Sequence, residues 1–110
     1  MEIFDNNIDN LFLVNSIKKH INRLAVDIGP RPVTNELSIK KTESYITNYF
    51  KNIGLQVQQQ QYKYDNYNIA NIIAGSQENL LSSKYYVIGA HYDVCGDSDG
   101  FCCGVNGIDD

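Results

Sequence analysis

Apolar residues recur at helical spacing in the first quarter of the chain. Most of them lie three or four positions apart, at Ile8, Leu11, Phe12, Ile17, Ile21, Leu24, Ala25 and Ile28. Residues with this spacing share one face of a helix, so the pattern predicts an amphipathic helix over residues 8–28. Gly29 and Pro30 follow directly, and this pair typically ends a helix.

A second helix is predicted to end at Gly54. Thr34 or Asn35 can cap its N-terminus, because a short polar side chain there accepts a hydrogen bond from a backbone N–H of the first turn. The apolar stripe that we expect to be buried consists of Leu37, Tyr45, Ile46, Tyr49, Phe50 and Ile53.

Three strand patterns follow the second helix. Residues 55–64 alternate in polarity, and Gln56, Gln58 and Gln60 mark a solvated outer face. Asp65 and Asn66 are typical turn residues, and residues 67–75 are interpreted as the return strand. We expect residues 76–83 to form a loop. Residues 84–90 contain the apolar run YYVI, which is typical of a buried central strand.

This order of elements predicts an α/β fold in which the N-terminal helices pack on a mixed β-sheet. No linker rich in proline or glycine divides the chain, so residues 1–110 are interpreted as part of one domain. Within it, residues 1–28 carry the leading helix. Residues 29–110 carry the second helix, the sheet and a final segment rich in Gly, Asp and Cys.

The composition of the chain argues against several classes of protein. Hydrophobic residues make up 43% of the chain, which argues against intrinsic disorder. The net charge of −4 and the lack of a basic cluster argue against nucleic-acid binding. No apolar run reaches the ~18 residues that span a bilayer, so we expect no membrane partner. The acidic N-terminus lacks a signal-peptide pattern, which predicts a cytoplasmic protein with free cysteines.

Candidate chemistry follows the third strand pattern. His91 and Asp93 come directly after it, where ligands bind in many α/β sheets. A carboxylate near a metal-bound imidazole can hold the second ring N–H and fix the tautomer. Further carboxylates follow at Asp97, Asp99, Asp109 and Asp110. From these residues alone, a polar surface loop is the simpler interpretation.

A longer set of motifs resembles a known family. Residues 89–97 (GAHYDVCGD) and 107–110 (GIDD) resemble the zinc exopeptidases of metallopeptidase family twenty-eight, which includes bacterial aminopeptidases and has glutaminyl cyclases among its relatives. Members carry a Gly-x-His-x-Asp strand end, then Gly-x-Asp-Asp-Asn-x-Ser-Gly. Upstream, residues 28–32 (IGPRP) and 68–75 (NIANIIAG) resemble a turn and a strand of the family. The likeness covers roughly residues 10–110, in family order.

The resemblance implies roles for three residues in a site with two zinc ions. His91 matches the first zinc ligand, Asp93 the carboxylate that orients it, and Asp110 the bridging ligand, with Asp109 as the competing choice. The implied fold is the zinc-exopeptidase α/β sandwich, here incomplete. The implied activity is hydrolysis of N-terminal peptide bonds, with peptides as substrates.

The family pattern puts the general-base Glu and the remaining ligands later than these motifs. We therefore expect this chain to be the N-terminal part of a peptidase domain, without peptidase activity on its own. Two alternatives remain open. One is glutaminyl-cyclase-like acyl transfer on the same scaffold. The other is a non-catalytic remnant, or a binding module that pairs with another chain by strand addition.

Other residues have weaker interpretations. A zinc site of His91, Cys95, Cys102 and Cys103 matches no common ligand spacing. The run from Asp97 to Gly100 fails as a calcium loop, and nothing visible activates Cys95 as a nucleophile. His20 has no sequence support as a ligand. Arg31 could anchor a loop, and we interpret it as structural because nothing in the sequence places it near His91.

Overall fold

The computed structural model describes residues 7–94, which contain helices and a β-hairpin. The elements in chain order are α1 (Asn7–Asn22), a π-helical segment (Arg23–Ile28), α2 (Glu36–Asn52), β1 (Gln56–Tyr64), β2 (Tyr67–Gly75) and α3 (Gln77–Leu81). The fold is therefore mixed α and β, as the sequence pattern predicts. Within residues 7–94, no helix is both long enough and apolar enough to cross a membrane.

The predicted first helix is confirmed, but its last six residues wind more widely. The Gly29 N–H donates to the carbonyl oxygen of Leu24, five residues back, at 3.1 Å. This bond closes the π-helical segment. Gly29 then takes a positive φ of 82°, which a residue without Cβ adopts without strain. The chain leaves the helix there and enters the turn that carries Arg31.

Helix α1 contacts the rest of the fold near its C-terminal end. The His20 ring lies edge-on to Tyr49, with centroids 4.6 Å apart, and its Nδ1 is hydrogen-bonded to the Tyr45 hydroxyl. His20 therefore joins α1 to α2. The apolar residues at the other end of α1 are exposed, and Phe12 keeps 76% of its surface accessible.

Helix α2 begins at the cap that the sequence offers. Asn35 is the N-cap, and its Oδ1 accepts a hydrogen bond from the Ser38 N–H at 3.1 Å. At the other end, Gly54 has a φ of 92° where the chain turns into β1. The choice between Thr34 and Asn35, open in the sequence, is therefore decided for Asn35.

The predicted buried stripe of α2 is partly wrong. Leu37, Tyr49 and Ile53 are exposed, and the buried residues are Ser38, Ile39, Thr42, Glu43 and Thr47. Most of this face is polar and forms hydrogen bonds. Thr42 Oγ1 donates to the Ser38 carbonyl oxygen at 2.8 Å, and Gln59 Nε2 of β1 donates to Thr47 Oγ1 at 2.9 Å. Hydrogen-bonded hydroxyls can be buried at little cost, which hydrophobic patterning does not anticipate.

Strands β1 and β2 form the predicted antiparallel hairpin. Their register runs from Gln56 opposite Gly75 to Tyr64 opposite Tyr67. Asp65 and Asn66 make a two-residue turn with φ values of 48° and 72°. Positive φ at both positions is the mark of a type I′ turn, whose twist matches that of the strands.

Two predictions after the hairpin are wrong. Residues 76–83 include the short helix α3, which Ser76 caps by accepting a hydrogen bond from the Asn79 N–H at 3.2 Å. Residues 84–90 form no strand, and Tyr86 and Ile88 are fully exposed. A strand buried on both faces needs cover on both sides, and in residues 7–94 helix α2 packs against a hairpin of two strands. The expected mixed sheet is thus a two-stranded antiparallel sheet in the described part of the chain.

The buried centre lies where α2, the hairpin and the end of the described chain meet. Its apolar members are Ile39 of α2, Ile69 and Ala70 of β2, and Val94. Arg31 is buried beside them with no exposed surface. The centre therefore includes a cationic side chain, and the contacts of that side chain determine how the candidate site is held.

Candidate functional site

The backbone of residues 92–94 lies against the turn that follows the π-helical segment. The Val94 N–H donates to the Arg31 carbonyl oxygen at 3.1 Å. Arg31 Nε donates in return to the Tyr92 carbonyl oxygen at 2.8 Å. These two contacts confirm Arg31 as an anchor of the chain, and they place it beside the segment of His91, which nothing in the sequence indicated.

Further contacts of Arg31 reach back to the first helical region. Nη1 donates to the carbonyl oxygen of Leu24 at 2.7 Å and to that of Gly29 at 3.1 Å. Hydrogen bonds from a charged donor are stronger than neutral ones, and a buried charge requires them. One guanidinium therefore ties together the π-helical segment, its C-terminal turn and the backbone beside His91.

The side chain of Tyr92 holds the same segment from the other direction. Its hydroxyl oxygen lies 2.7 Å from the Ala70 carbonyl oxygen and 3.2 Å from Glu43 Oε2. Burial, together with the Glu43 carboxylate, raises the pKa of the Tyr92 hydroxyl far above its ordinary value. Tyr92 therefore stays protonated over the physiological range and donates its hydrogen bond to β2 or α2.

Glu43 is a buried carboxylate with two partners of different kinds. Only 3% of the residue is exposed, and Lys40 Nζ lies 3.0 Å from its Oε1. Lys40 itself is half-exposed, so its charge reaches Glu43 from the solvent side. With one oxygen facing Lys40 and the other facing Tyr92, the carboxylate is satisfied within the fold.

His91 and Asp93 are brought together, as their spacing predicts. His91 Nδ1 lies 2.9 Å from the backbone oxygen of Asp93 and 3.2 Å from its Oδ1. Both partners are acceptors, so Nδ1 carries the proton in the neutral imidazole. The lone pair then lies on Nε2, which is the arrangement of a histidine that can bind a metal through Nε2.

A cleft of about 530 Å³ runs beside this pair. His91 and Asp93 contribute to its lining, and both side chains are almost half-exposed. Apolar side chains from three elements, among them Leu24, Ile46, Phe50 and Ile69, line it as well, together with Arg31 and Asn71. The cleft therefore combines an apolar wall with an imidazole and a carboxylate.

The imidazole of His91 is suited to be one zinc ligand, but the described residues do not supply a full ligand set. Within residues 7–94, no three His, Cys, Asp or Glu side chains are grouped so that they could hold a metal ion. Asp109 and Asp110, as well as the three cysteines, lie outside the described residues. The pairing of His91 with the proposed bridging ligand Asp110 therefore stays a prediction.

Sequence reasoning identified Arg31 as a loop anchor, which its guanidinium contacts confirm, and missed Tyr92 and Glu43. Arg31 and Tyr92 carry the contacts, and Glu43 receives one of them. For Arg31, the local signal was its place between two prolines, where the chain cannot continue as helix. For Glu43, an acidic residue at a core-facing position of α2 was a signal, because a carboxylate is buried only with partners.

Comparison with known proteins adds no family name. No family model matches the chain, and no curated protein and no solved structure gives a significant match.

Proposed function

We propose that the chain is the N-terminal part of a zinc-dependent exopeptidase domain, an aminopeptidase that hydrolyses the N-terminal bond of peptides. In this proposal His91 and Asp110 are zinc ligands and Asp93 orients His91. The motif resemblance of residues 89–97 and 107–110 supports the assignment. When bound, zinc polarises the scissile carbonyl as a Lewis acid.

The observation that supports the proposal best is the contact between His91 Nδ1 and Asp93. Their 3.2 Å separation puts the carboxylate where it can accept the ring N–H. A carboxylate in that position fixes the tautomer and makes Nε2 a stronger donor to a metal. The near half-exposure of His91 leaves the ring accessible from solvent.

The chain's own residues divide the work in this proposal. Asp93 holds the proton of His91 at Nδ1 and keeps Nε2 directed as a ligand. The apolar wall of the cleft, with Leu24, Ile46 and Phe50, offers an apolar surface next to the pair. The general base and further ligands are not assigned to residues of this chain, so we expect the 110-residue chain alone to be inactive.

Zinc titration of the 110-residue chain tests the ligand assignment. We expect calorimetry to detect zinc binding that His91→Ala weakens at least about tenfold, since an orienting pair and its ligand act together. His20→Gln is the matched control, because His20 contacts Tyr45 and Tyr49 and not the candidate site. Equal zinc binding by wild type and His91→Ala contradicts the assignment.

A variant without cysteines tests the rival zinc site, in which the cysteines bind the ion together with His91. Combined replacement of Cys95, Cys102 and Cys103 by serine leaves zinc binding unchanged if His91 and carboxylates hold the ion. Loss of binding in this variant favours the cysteine site instead.

Activity is tested on the protein isolated from its source. We expect an intact mass clearly above 12.4 kDa and release of N-terminal residues from a peptide, which a chelator abolishes. The 110-residue chain serves as the comparison and should release none. Ammonia release from a peptide with N-terminal glutamine, without free amino acid, favours cyclotransferase chemistry instead.

A non-catalytic binding module is the second candidate, and one observation favours it. Tyr86 and Ile88 are fully exposed in a segment that belongs to no strand of the described residues. Exposed apolar residues beside a sheet suit pairing with another chain. A stable native protein of about 12.4 kDa that binds its partner equally with and without chelator supports this candidate.

A further inference from the structure

We propose that Arg31 is a positioning residue for the His91–Asp93 pair, acting on their backbone and not on a substrate. The inference rests on the proposed function only for the role that the His91–Asp93 pair has, namely zinc binding. The contacts that carry it are independent of zinc. Arg31 is the buried side chain that links the first helical region to the segment with the candidate ligand.

The position of the contacts around the pair is the first argument. Arg31 holds Tyr92 through its side chain and Val94 through its own carbonyl oxygen. Tyr92 lies between His91 and Asp93, and Val94 follows Asp93 directly. The backbone is therefore fixed on both sides of Asp93 by a single residue. The two side chains of the pair are left to face the cleft.

Arginine suits this task better than any other cation. Its guanidinium is planar and presents donors in several directions, so one group reaches the carbonyl oxygens of Leu24, Gly29 and Tyr92 together. A lysine ammonium is a single point on a flexible stem and cannot span these three acceptors in the same way. Replacement of Arg31 by lysine therefore keeps the positive charge but removes the planar group that reaches all three carbonyl oxygens.

The Tyr92 hydroxyl completes the arrangement from the opposite side. It is anchored on β2 at the Ala70 carbonyl oxygen, 2.7 Å away. Residue 92 is thus held at its carbonyl by Arg31 and at its hydroxyl by the sheet. Sites of this kind tolerate displacements of only about 0.5 Å. Loss of the Arg31 contact should therefore misplace His91 relative to Asp93 without moving the hairpin.

Amide hydrogen exchange of the full chain tests the inference without zinc. In Arg31→Lys we expect the Val94 amide to exchange at least about tenfold faster, while amides of the β1–β2 pairing keep their wild-type protection. The ring signals of His91 should shift in the same variant. Ile39→Val serves as a control for general loss of stability, since it removes one buried methylene and none of the hydrogen bonds of Arg31.

Two results overturn the inference. One is an Arg31→Lys chain with unchanged Val94 exchange and unchanged His91 signals. The other is equal loss of protection in the hairpin and at Val94, which indicates a general structural role. Should Arg31→Lys fail to fold, the wild-type chain still decides. A scalar coupling across the hydrogen bond from Arg31 Nε to the Tyr92 carbonyl is expected, and its absence overturns the proposal.

Zinc affinity links the inference to the proposed function. If wild type binds zinc at His91, Arg31→Lys should weaken binding about 10–100-fold, as loss of supporting contacts does at metal sites. If the 110-residue wild type binds no zinc, His91 and its neighbours in this chain do not form a zinc site by themselves, and the exchange measurement decides the role of Arg31. A wild-type zinc affinity in Arg31→Lys, with zinc bound at His91, contradicts the positioning role.

Discussion

The hydroxyl oxygen of Tyr92 lies 2.7 Å from the carbonyl oxygen of Ala70, so the end of the described chain is fastened to the middle of β2. Tyr92 sits between the two residues of the candidate site. Its side chain points into the fold while His91 and Asp93 remain partly exposed. The side chain of Tyr92 therefore contributes both to the stability of the fold and to the geometry of the candidate site.

Removal of the hydroxyl in Tyr92→Phe should lower the free energy of unfolding by about 1–2 kcal/mol. The loss leaves the Ala70 carbonyl and one Glu43 oxygen without this donor in a buried setting. Urea denaturation measures the change. Tyr86→Phe is the matched control because Tyr86 is fully exposed, and it should change stability by less than about 0.5 kcal/mol. Equal effects of the two variants would contradict the role of Tyr92.

Alkaline pH should destabilise the protein through the same hydroxyl. The folded-state pKa of Tyr92 lies above the ordinary value of 10.0, chiefly because of burial. Above pH 10 the unfolded chain therefore releases a proton that the folded chain keeps, and stability falls as pH rises. The contribution is fully present below pH 10.

Urea midpoints measured from about pH 8 to pH 11 check this expectation. Tyr92→Phe should show a shallower decline than wild type. A residual decline is expected because burial also raises the pKa of Tyr45. Parallel pH profiles for wild type and Tyr92→Phe would assign the alkaline loss to other groups.

Replacement of the N-cap of α2, Asn35→Ala, should destabilise the protein by about 1 kcal/mol. The variant loses the hydrogen bond that Asn35 Oδ1 accepts from the Ser38 N–H. Asn48→Ala is the matched control, since Asn48 is exposed within the same helix and caps nothing. Alanine there should be neutral or slightly stabilising. Thermal unfolding distinguishes the two, and a neutral Asn35→Ala would show that the cap contributes nothing.

Gly54→Ala should cost about 1 kcal/mol through backbone strain alone. Gly54 has a φ of 92°, and an added Cβ would meet nothing within 4 Å. Gly89→Ala isolates that cause, because the space at Gly89 is equally open and its φ is not positive. We expect Gly89→Ala to leave the unfolding midpoint unchanged or raise it slightly. A larger loss in Gly89→Ala than in Gly54→Ala would contradict this explanation.

Local sequence patterns were sufficient for the elements that depend on near neighbours. The helix over residues 8–28, the hairpin and its turn at Asp65 and Asn66 follow from periodicity and turn chemistry. Each of these depends on contacts between residues close in sequence. The His91–Asp93 contact belongs to the same class, because its partners are two positions apart in the chain, with only Tyr92 between them.

Tertiary contacts decided the rest. The YYVI run has the composition of a buried strand, but a strand also needs a neighbouring edge and cover, and residues 7–94 supply neither to it. The buried face of α2 is polar because its hydroxyls and its carboxylate find partners in other elements. Arg31 reaches Tyr92 across the fold, and no spacing rule connects them. The sequence by itself determined the local conformation and indicated the candidate ligands. The residues that hold these ligands in place were determined by burial and long-range hydrogen bonding, which depend on the tertiary structure.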